Sequence, residues 1–186
     1  MAENPKVKLD IITLSDRVVD LLEEGYDIAI RIAKLENSTL VSKLLAKTRM
    51  VLCASPAYLK RHGTPTHPAE VAEHAVISYS YWSTKDEWRF TGPEGEVSVH
   101  TIPTIHTNNG DTCRAAALAN QGLNLQPSFI VGKDLAEGTL VELMPDYRSL
   151  ELGIYAVYPT RKHVSAKVRA LIDFLSLQLA GRGLNW

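Results

Sequence analysis

Residues 15–32 read Ser15-Asp-Arg-Val-Val-Asp-Leu-Leu-Glu-Glu-Gly-Tyr-Asp-Ile-Ala-Ile-Arg-Ile32. Apolar residues at helical spacing follow Ser15 and Asp16, either of which suits a helix N-cap. Gly25 stands where a C′ glycine commonly ends a helix. Asp27–Ile32 then alternates, with three isoleucines on one face and an alanine and an arginine on the other. The stretch therefore predicts a short helix, a glycine stop and a buried strand, which together are typical of an interior piece of a larger α/β domain.

A second strand is predicted just before this stretch. Val7–Thr13 begins as an alternation of apolar and polar residues and then turns apolar. A strand, a helix and a strand in this order predict a parallel βαβ crossover, which is nearly always right-handed. Ser15 would then lie at the carboxyl end of the first strand.

The rest of the chain alternates between strand and helix patterns. Strands are predicted at residues 40–54, 75–79, 88–90, 96–100, 104–106, 123–126, 138–144 and 152–158, and helices at 55–63, 68–74, 113–120 and 164–180. The last helix is the clearest, because its apolar residues recur at spacings of three and four. The fold class predicted from this order is α/β.

Composition excludes several classes of protein. The chain has 186 residues, of which 45% are hydrophobic, and its 20 Lys and Arg face 21 Asp and Glu. A net charge of −1 argues against nucleic-acid binding by this chain itself, because binding phosphates needs a basic face. No signal-peptide pattern or membrane-length apolar run is visible, so we expect a soluble cytoplasmic protein without a membrane partner.

Enzyme and metal signatures are lacking as well. The chain has no G-x-S-x-G, H-E-x-x-H, G-x-G-x-x-G or Walker motif, and its six histidines fit no common metal spacing. We therefore expect no catalytic activity, no metal site and no cofactor.

Five segments, in order along the chain, carry a resemblance to a known family. They are Val18-Val-Asp-Leu-Leu-Glu-Glu-Gly-Tyr-Asp-Ile-Ala-Ile-Arg31, Val51-Leu-Cys-Ala-Ser-Pro-Ala-Tyr-Leu59, Trp88-Arg-Phe90, Asn108-Asn-Gly-Asp111 with Arg114-Ala-Ala-Ala-Leu118, Gly122 and Pro127, and Ile154-Tyr-Ala-Val-Tyr-Pro159 with Lys167-Val-Arg-Ala-Leu-Ile-Asp-Phe-Leu175. Together they resemble the effector-binding domain of LysR-type transcriptional regulators.

The resemblance implies a type 2 periplasmic-binding-protein-like fold, in which two α/β lobes are joined by two crossover strands and flank a ligand cleft. Lobe one would comprise residues 1–54 and 150–186, and lobe two residues 55–149. The implied function is the binding of a small-molecule effector, and the alternative is a stand-alone solute-binding protein of the same fold. Compared with a complete regulator of this family, we expect the chain to be N-terminally truncated. It would lack the winged helix-turn-helix and also the first strand and helix of the effector domain.

The resemblance also implies partners. These are a small-molecule effector, such as an organic acid, and a second copy in a homo-dimer or higher oligomer. DNA would be bound only through the missing N-terminal domain. By resemblance to family dimers, we expect the dimer interface to include the helices Asp16–Glu24 and Cys113–Asn120. A charge substitution at Leu21 would test this placement. Because unpaired strand edges associate readily, we also expect the missing strand to favour association or strand exchange between chains.

The candidate effector-binding residues lie at the ends of predicted elements. Ser15 ends the first strand, and its alternative role is a plain helix N-cap. The alanine-rich helix is preceded by Asn108, Asn109, Gly110 and Thr112. The N–H groups at the start of this helix suit an anion, whereas the carboxylate of Asp111 beside them would repel one. Simple capping is the alternative for this group.

The remaining candidates have structural alternatives too. Pro127, Ser128 and Phe129 follow a short strand and resemble the family's cleft wall, although Phe129 also suits a core position. Arg31 suits a bidentate contact with a carboxylate or a structural ion pair. Tyr81, with Trp82 beside it, suits either a cleft lining or a surface site.

The two cysteines raise the possibility of redox sensing. Cys53 lies in an apolar strand and is expected to be an inert buried thiol. Cys113 lies near a helix N-terminus, which can lower the pKa of a thiol. A lowered pKa would make redox sensing by Cys113 chemically reasonable.

Overall fold

The structure, a computed structural model, describes residues 8–13, 20–21, 23–33, 41–80, 86–159 and 164–180. It divides into two units. Among the described residues, unit 1 comprises those within 1–46 and 153–180, and unit 2 comprises those within 47–152. Two strands, β2 (Val41–Ala54) and β9 (Glu151–Tyr158), contribute residues to both units. The lobe boundaries drawn from the sequence, after residue 54 and before residue 150, stay a prediction.

In its described residues, unit 1 contains a pair of antiparallel strands, the start of β2 and one helix. Strand β1 (Ala29–Ala33) pairs with β9, from Ala29 opposite Val157 to Ala33 opposite Gly153. Helix α4 (Ala166–Ala180) packs its apolar stripe against the sheet, in a cluster with the buried residues Leu45, Ala156, Val168 and Ile172. The predicted strand at 27–32 and the predicted final helix are thus confirmed.

The left-handed conformation predicted at Gly25 is present, but the described residues before it, 20–21 and 23–24, form a turn and are not helical. Gly25 has a φ of 73°, the left-handed conformation in which glycine carries no steric penalty. The Tyr26 N–H donates to the Leu21 carbonyl at 3.0 Å, which is the long hydrogen bond of a Schellman helix end. Most of the predicted helix at 16–24 lies outside the described residues.

The prediction of a strand at residues 7–13 is wrong for residues 8–13, the part of it that the structure describes. Residues 8–13 have no strand conformation and are exposed, including the side chains of Leu9, Ile11 and Ile12. A strand exists only through hydrogen bonds to a neighbouring strand, and none of the described strands pairs with this segment. The parallel βαβ crossover predicted from it is therefore not formed by the described residues.

Unit 2 contains the remaining elements. In chain order they are the end of β2, α1 (Pro56–His62), a 3-10 helix (Pro68–Glu73), β3 (Val76–Tyr79), β4 (Glu87–Gly92), β5 (Gly95–His100), β6 (Pro103–Thr107), α2 (Gly110–Leu118), β7 (Leu123–Pro127), α3 (Ser128–Glu137), β8 (Val141–Glu142) and the start of β9. Strands β4 and β5 form the predicted hairpin.

The sheet of unit 2 is mixed and carries a core on each face. Strand β7 pairs antiparallel with β2 and parallel with β3, which pairs parallel with β6. Side chains alternate along β2, so Met50 and Leu52 join one apolar cluster, while Val51 and Cys53 join the other. The second cluster lies under α2 and α3 and also contains Cys113, Ala117 and Val131.

Three expectations need correction in unit 2. Helix α3 was not predicted, because its short apolar start resembles strand and its N-cap position is a proline. Helix α2 begins at Gly110, three residues before the predicted start, since Asn109 supplies the N-cap. The strand predicted at 138–144 shrinks to the two residues of β8, because Gly138 closes α3 in the left-handed conformation and only Val141 and Glu142 pair with β2.

Candidate functional site

The start of α2 is held by an asparagine. The Asn109 side-chain oxygen accepts the Thr112 backbone N–H at 2.8 Å and the Thr112 hydroxyl at 3.2 Å. This is a standard N-cap with Asn109 as the capping residue, and a role of Asn109 and Thr112 in effector binding stays a prediction. Asn108 is exposed beside them, and Asp111 is exposed in the first turn of the helix.

The start of α3 has no such cap. Pro127 occupies the N-cap position, and no side chain makes a capping hydrogen bond there. The first N–H groups of a helix lack partners within the helix and carry its positive dipole end. Ser128 is fully buried, and its hydroxyl lies 3.1 Å from that of Thr48 on β2. Phe129 is half-buried, so it is not a plain core residue.

The two helix starts contact each other. A Cβ placed on Gly110 would lie 2.6 Å from Ile130 Cδ1 and 3.1 Å from Gln126 Oε1. Gly110, the first residue of α2, therefore packs directly on the first turn of α3 and on the buried amide of Gln126. The structure thus brings together Asn109, Gly110 and Thr112 with Pro127 and Ser128, and we call this group the helix-start site.

A partly buried ion pair links the same two helices. Arg114 of α2 donates through Nε to one oxygen of Asp134 at 2.5 Å and through Nη2 to the other at 2.7 Å. These hydrogen bonds hold the pKa of the Asp134 carboxyl below its ordinary value, against the opposing effect of burial. Because Arg114 already neutralises Asp134, this carboxylate adds little negative potential near the helix-start site.

A second bidentate pair lies on β2 next to Thr48. Arg49 contacts the two oxygens of Glu142 at 2.5 and 2.9 Å. The hydrogen bonds to Glu142 raise the pKa of the guanidinium. Because the guanidinium of Arg49 is paired with Glu142, we do not expect it to bind an anionic ligand.

The other predicted site residues are not part of this group. Arg31 lies on β1 in unit 1, half-buried and in register with Tyr155. Ser15, Tyr81 and Trp82 lie outside the described residues.

Sequence reasoning missed Thr48 and Gln126. Both are buried polar residues on strands. Gln126 follows Leu125 and interrupts a buried strand, which is a sequence signal, whereas Thr48 stands between Lys47 and Arg49 and no pattern marks it. Buried polar groups are costly unless they are hydrogen-bonded, so a polar residue that interrupts a buried strand is a candidate site position.

The structure does not favour a lowered pKa at Cys113, which redox sensing by this thiol would need. Burial raises the pKa of its thiol to about 11 and that of Cys53 to about 12. Both thiols lie in the apolar cluster under α2 and α3, where thiolate formation is unfavourable. The prediction of an inert thiol at Cys53 agrees with this environment.

Among the described residues, no group of three or more His, Cys, Asp or Glu side chains is placed to hold a metal ion. None of the helices in the described ranges has the length and apolar character needed to cross a membrane.

Comparison with known proteins gives a consistent family assignment. The model of the LysR substrate binding domain matches residues 1–180. An uncharacterised HTH-type transcriptional regulator from Haemophilus influenzae is 32% identical over 171 residues, covering 92% of this chain and 59% of that protein. The chain spans 53–59% of the length of the curated relatives with which it was compared.

Solved structures agree. Full-length AphB, a virulence activator of Vibrio cholerae, matches with a TM-score of 0.82 and 25% identity, over 96% of this chain and 60% of that one. The CrgA regulatory domain from Neisseria meningitidis matches with a TM-score of 0.76 and 30% identity, over 85% of this chain and 78% of that one.

Proposed function

Because the chain belongs to the LysR substrate-binding domain family, with its type 2 periplasmic-binding-protein-like fold, it is an effector-binding domain of LysR-type regulators, and we propose that its effector is a small organic carboxylate. We propose further that the helix-start site of unit 2 contacts the carboxylate. The observation that carries this proposal is the uncapped start of α3, which adjoins the start of α2.

The chemistry of the site favours an anion over a cation. Backbone N–H groups at a helix start donate hydrogen bonds, and the dipole favours negative charge. The Ser128 and Thr48 hydroxyls are hydrogen-bonded to each other, so their geometry is fixed beside these donors. Asp111 opposes an anion, but its side chain is exposed and therefore screened by solvent.

A thermal-shift experiment tests the ligand class. The protein is screened with aromatic and aliphatic monocarboxylates, each paired with its neutral amide at the same ionic strength. A ligand at about 100 times its Kd adds about 2.7 kcal/mol, and each kcal/mol raises Tm by about 2–4 °C in a chain of this size. We expect an acid to raise Tm by about 5–10 °C and its amide to have little effect.

Two variants localise the site. Phe129→Glu places a carboxylate at the second residue of α3, where the dipole tolerates it but an anionic ligand is repelled. Ala57→Glu is the matched control, since it places the same charge at the second residue of α1, whose start is capped by Ser55. The Tm shift should vanish in F129E and persist in A57E. Equal shifts with acid and amide, or a shift that survives in F129E, would contradict the proposal.

The remaining expectations concern the parent protein. The curated relatives are named as transcriptional regulators, which supports a role in transcription rather than catalysis. We propose that DNA binding belongs to the part of such regulators that this chain does not span, and that the protein acts in the cytoplasm as a homo-oligomer. The two predicted dimer helices stay a proposal. Leu21 is buried against Val157, so a charge there would test folding instead of the interface.

A further inference from the structure

A tyrosine and two histidines of unit 2 form a cluster where α1, the 3-10 helix and β3 meet. Tyr58 of α1 is buried, and His74, which caps the end of the 3-10 helix, is half-buried. The rings of Tyr58 and His62, about one turn apart on α1, stack with their centroids 4.5 Å apart. None of these three residues, which we call the tyrosine–histidine cluster, belongs to the helix-start site.

The hydrogen bonds of the cluster define the protonation state of His74. The Tyr58 hydroxyl oxygen accepts the Ala75 backbone N–H at 3.1 Å and lies 3.2 Å from Nδ1 of His74. A hydroxyl has one proton to donate, and leaving it without an acceptor in a buried position is costly. Among the described residues, Nδ1 of His74 is the acceptor for this proton, so the His74 ring is unprotonated at Nδ1 and carries its proton on Nε2.

The surroundings of His74 also disfavour a positive charge on its ring. Burial lowers the pKa of His74, and the nearby His62 lowers it further. Glu70 and Glu73 of the 3-10 helix act in the opposite direction. Their effect is limited, because Thr66 donates two hydrogen bonds to the Glu70 carboxylate and Glu73 is exposed to solvent.

Ala75, the backbone partner of the cluster, lies between α1 and the start of β7. Its carbonyl accepts the Leu123 N–H at 2.9 Å. Gly122 packs on the same carbonyl, since a Cβ on it would lie 2.4 Å from the oxygen, and neither Gly122 nor Leu123 carries a charge. The start of α1 is held independently, because the Ser55 hydroxyl donates to the Asn120 side-chain oxygen at 2.7 Å. The cluster therefore fixes only the contact of α1 with Ala75.

We propose that the Tyr58–His74 contact is a pH-sensitive switch, in which protonation of His74 at Nδ1 removes the acceptor of the Tyr58 hydroxyl and weakens the contact of α1 with Ala75. Because the pKa of His74 is lowered in the folded protein, the contact contributes its full stability above the ordinary histidine value of about 6.5. It loses this stability as the pH falls towards the lowered value. Mild acid thus loosens unit 2 at one defined junction, while Ser55 keeps the start of α1 in place.

Amide hydrogen exchange measured by NMR tests the switch at the residue that it releases. An opening that takes up one proton becomes more frequent by up to about tenfold for each pH unit below about 6.5. We expect the protection factor of the Ala75 N–H to fall accordingly between about pH 7 and about pH 5.5. The N–H of Leu143, which donates to the Leu52 carbonyl at 2.9 Å, is the internal control and should keep its protection factor.

A side chain that does not titrate separates proton uptake from packing. His74→Asn keeps an acceptor near the position of Nδ1 but cannot be protonated there, so the Ala75 N–H should stay protected in mild acid. His100→Asn is the matched control, because His100 is exposed on β5, and the loss of protection should persist in it.

The nitrogen chemical shifts of the His74 ring test the same switch in the wild type, without depending on the stability of H74N. At neutral pH they should show an unprotonated Nδ1 and a proton on Nε2. A pH-independent protection factor at Ala75, a loss of protection that persists in H74N, or a His74 ring protonated at Nδ1 at neutral pH would overturn the proposal.

Discussion

The ion pair between α2 and α3 allows a quantitative test of how the helix-start site is held. Arg114 and Asp134 are unequal partners, because their side chains are 34% and 4% exposed respectively. Removing the arginine leaves a carboxylate that water scarcely reaches. Removing the negative charge leaves a guanidinium that still contacts solvent. The two substitutions should therefore differ in cost even though each breaks the same pair.

We expect Arg114→Met to lower the free energy of unfolding by about 3–5 kcal/mol at pH 7, the usual cost of leaving a buried charge unpaired. Methionine keeps most of the aliphatic stem, so little of this cost reflects lost packing. Asp134→Asn should cost about 1–2 kcal/mol, since the amide still accepts one hydrogen bond and Arg114 is partly hydrated. Urea unfolding followed by circular dichroism and fluorescence measures both.

The pH dependence gives the decisive result. In the wild type the pKa of Asp134 is lowered, so the pair contributes its full stability above the ordinary pKa of aspartate and loses it as the pH falls through the lowered value. In R114M the unpaired, buried Asp134 should have a raised pKa, and protonation removes the penalty. The deficit of R114M should therefore shrink between pH 7 and about 4. A larger cost for D134N, or a deficit that does not change with pH, would refute the reasoning.

Three further predictions concern local features. Asn109→Ala should lower stability by about 1 kcal/mol through loss of the α2 cap, with Asn109→Ser restoring most of it, as measured by Tm. Cys53 and Cys113, with pKa values of about 12 and 11, should react with a thiol reagent at pH 8 only after unfolding, which absorbance follows. Gly122→Ala should cost at least 2 kcal/mol, because its φ is 155° and a Cβ would lie 2.4 Å from a backbone oxygen. Gly95→Ala is the control, because a Cβ at Gly95 would contact no other atom. It should lower the free energy of unfolding in urea by about 1–2 kcal/mol, and equal losses for the two variants would contradict the steric argument.

Elements with strong local signals were predictable from the sequence. Helix α1 is capped by Ser55, begins at Pro56 and is closed by Gly63, and all three residues act as their types predict. The hairpin β4–β5 and the apolar stripe of α4 were similarly clear, because turn residues and helical spacing are local properties. The family resemblance rested on such elements, and the comparisons confirm it.

What the sequence could not supply depends on contacts between distant residues. Residues 8–13 have a strand pattern but form no strand in the described structure, since pairing depends on a neighbour that the pattern does not reveal. The sequence places Asn109 and Gly110 at the start of a helix, but only the structure shows that Gly110 packs against Ile130 of an unpredicted helix. Thr48 lies beside the helix-start site because β2 brings its hydroxyl to 3.1 Å from that of Ser128, 80 residues away along the chain.

Two polar residues of β7 allow the effects of a substitution on stability and on ligand binding to be measured separately. Asn124 and Gln126 are both buried and alternate onto the face that α2 and α3 cover, but only Gln126 reaches the helix-start site, at Gly110. Among the described residues, neither polar atom of the Asn124 side chain has a hydrogen-bond partner, so this residue costs stability without contributing a contact to the site. Asn124→Leu, which nearly preserves shape, should therefore stabilise the protein by about 1–3 kcal/mol and leave the carboxylate-induced Tm shift unchanged. Gln126→Leu should reduce that shift, because it removes a polar group beside both helix starts. If N124L abolished the shift while Q126L preserved it, the ligand would contact the interior of the sheet and the helix-start site would be misplaced.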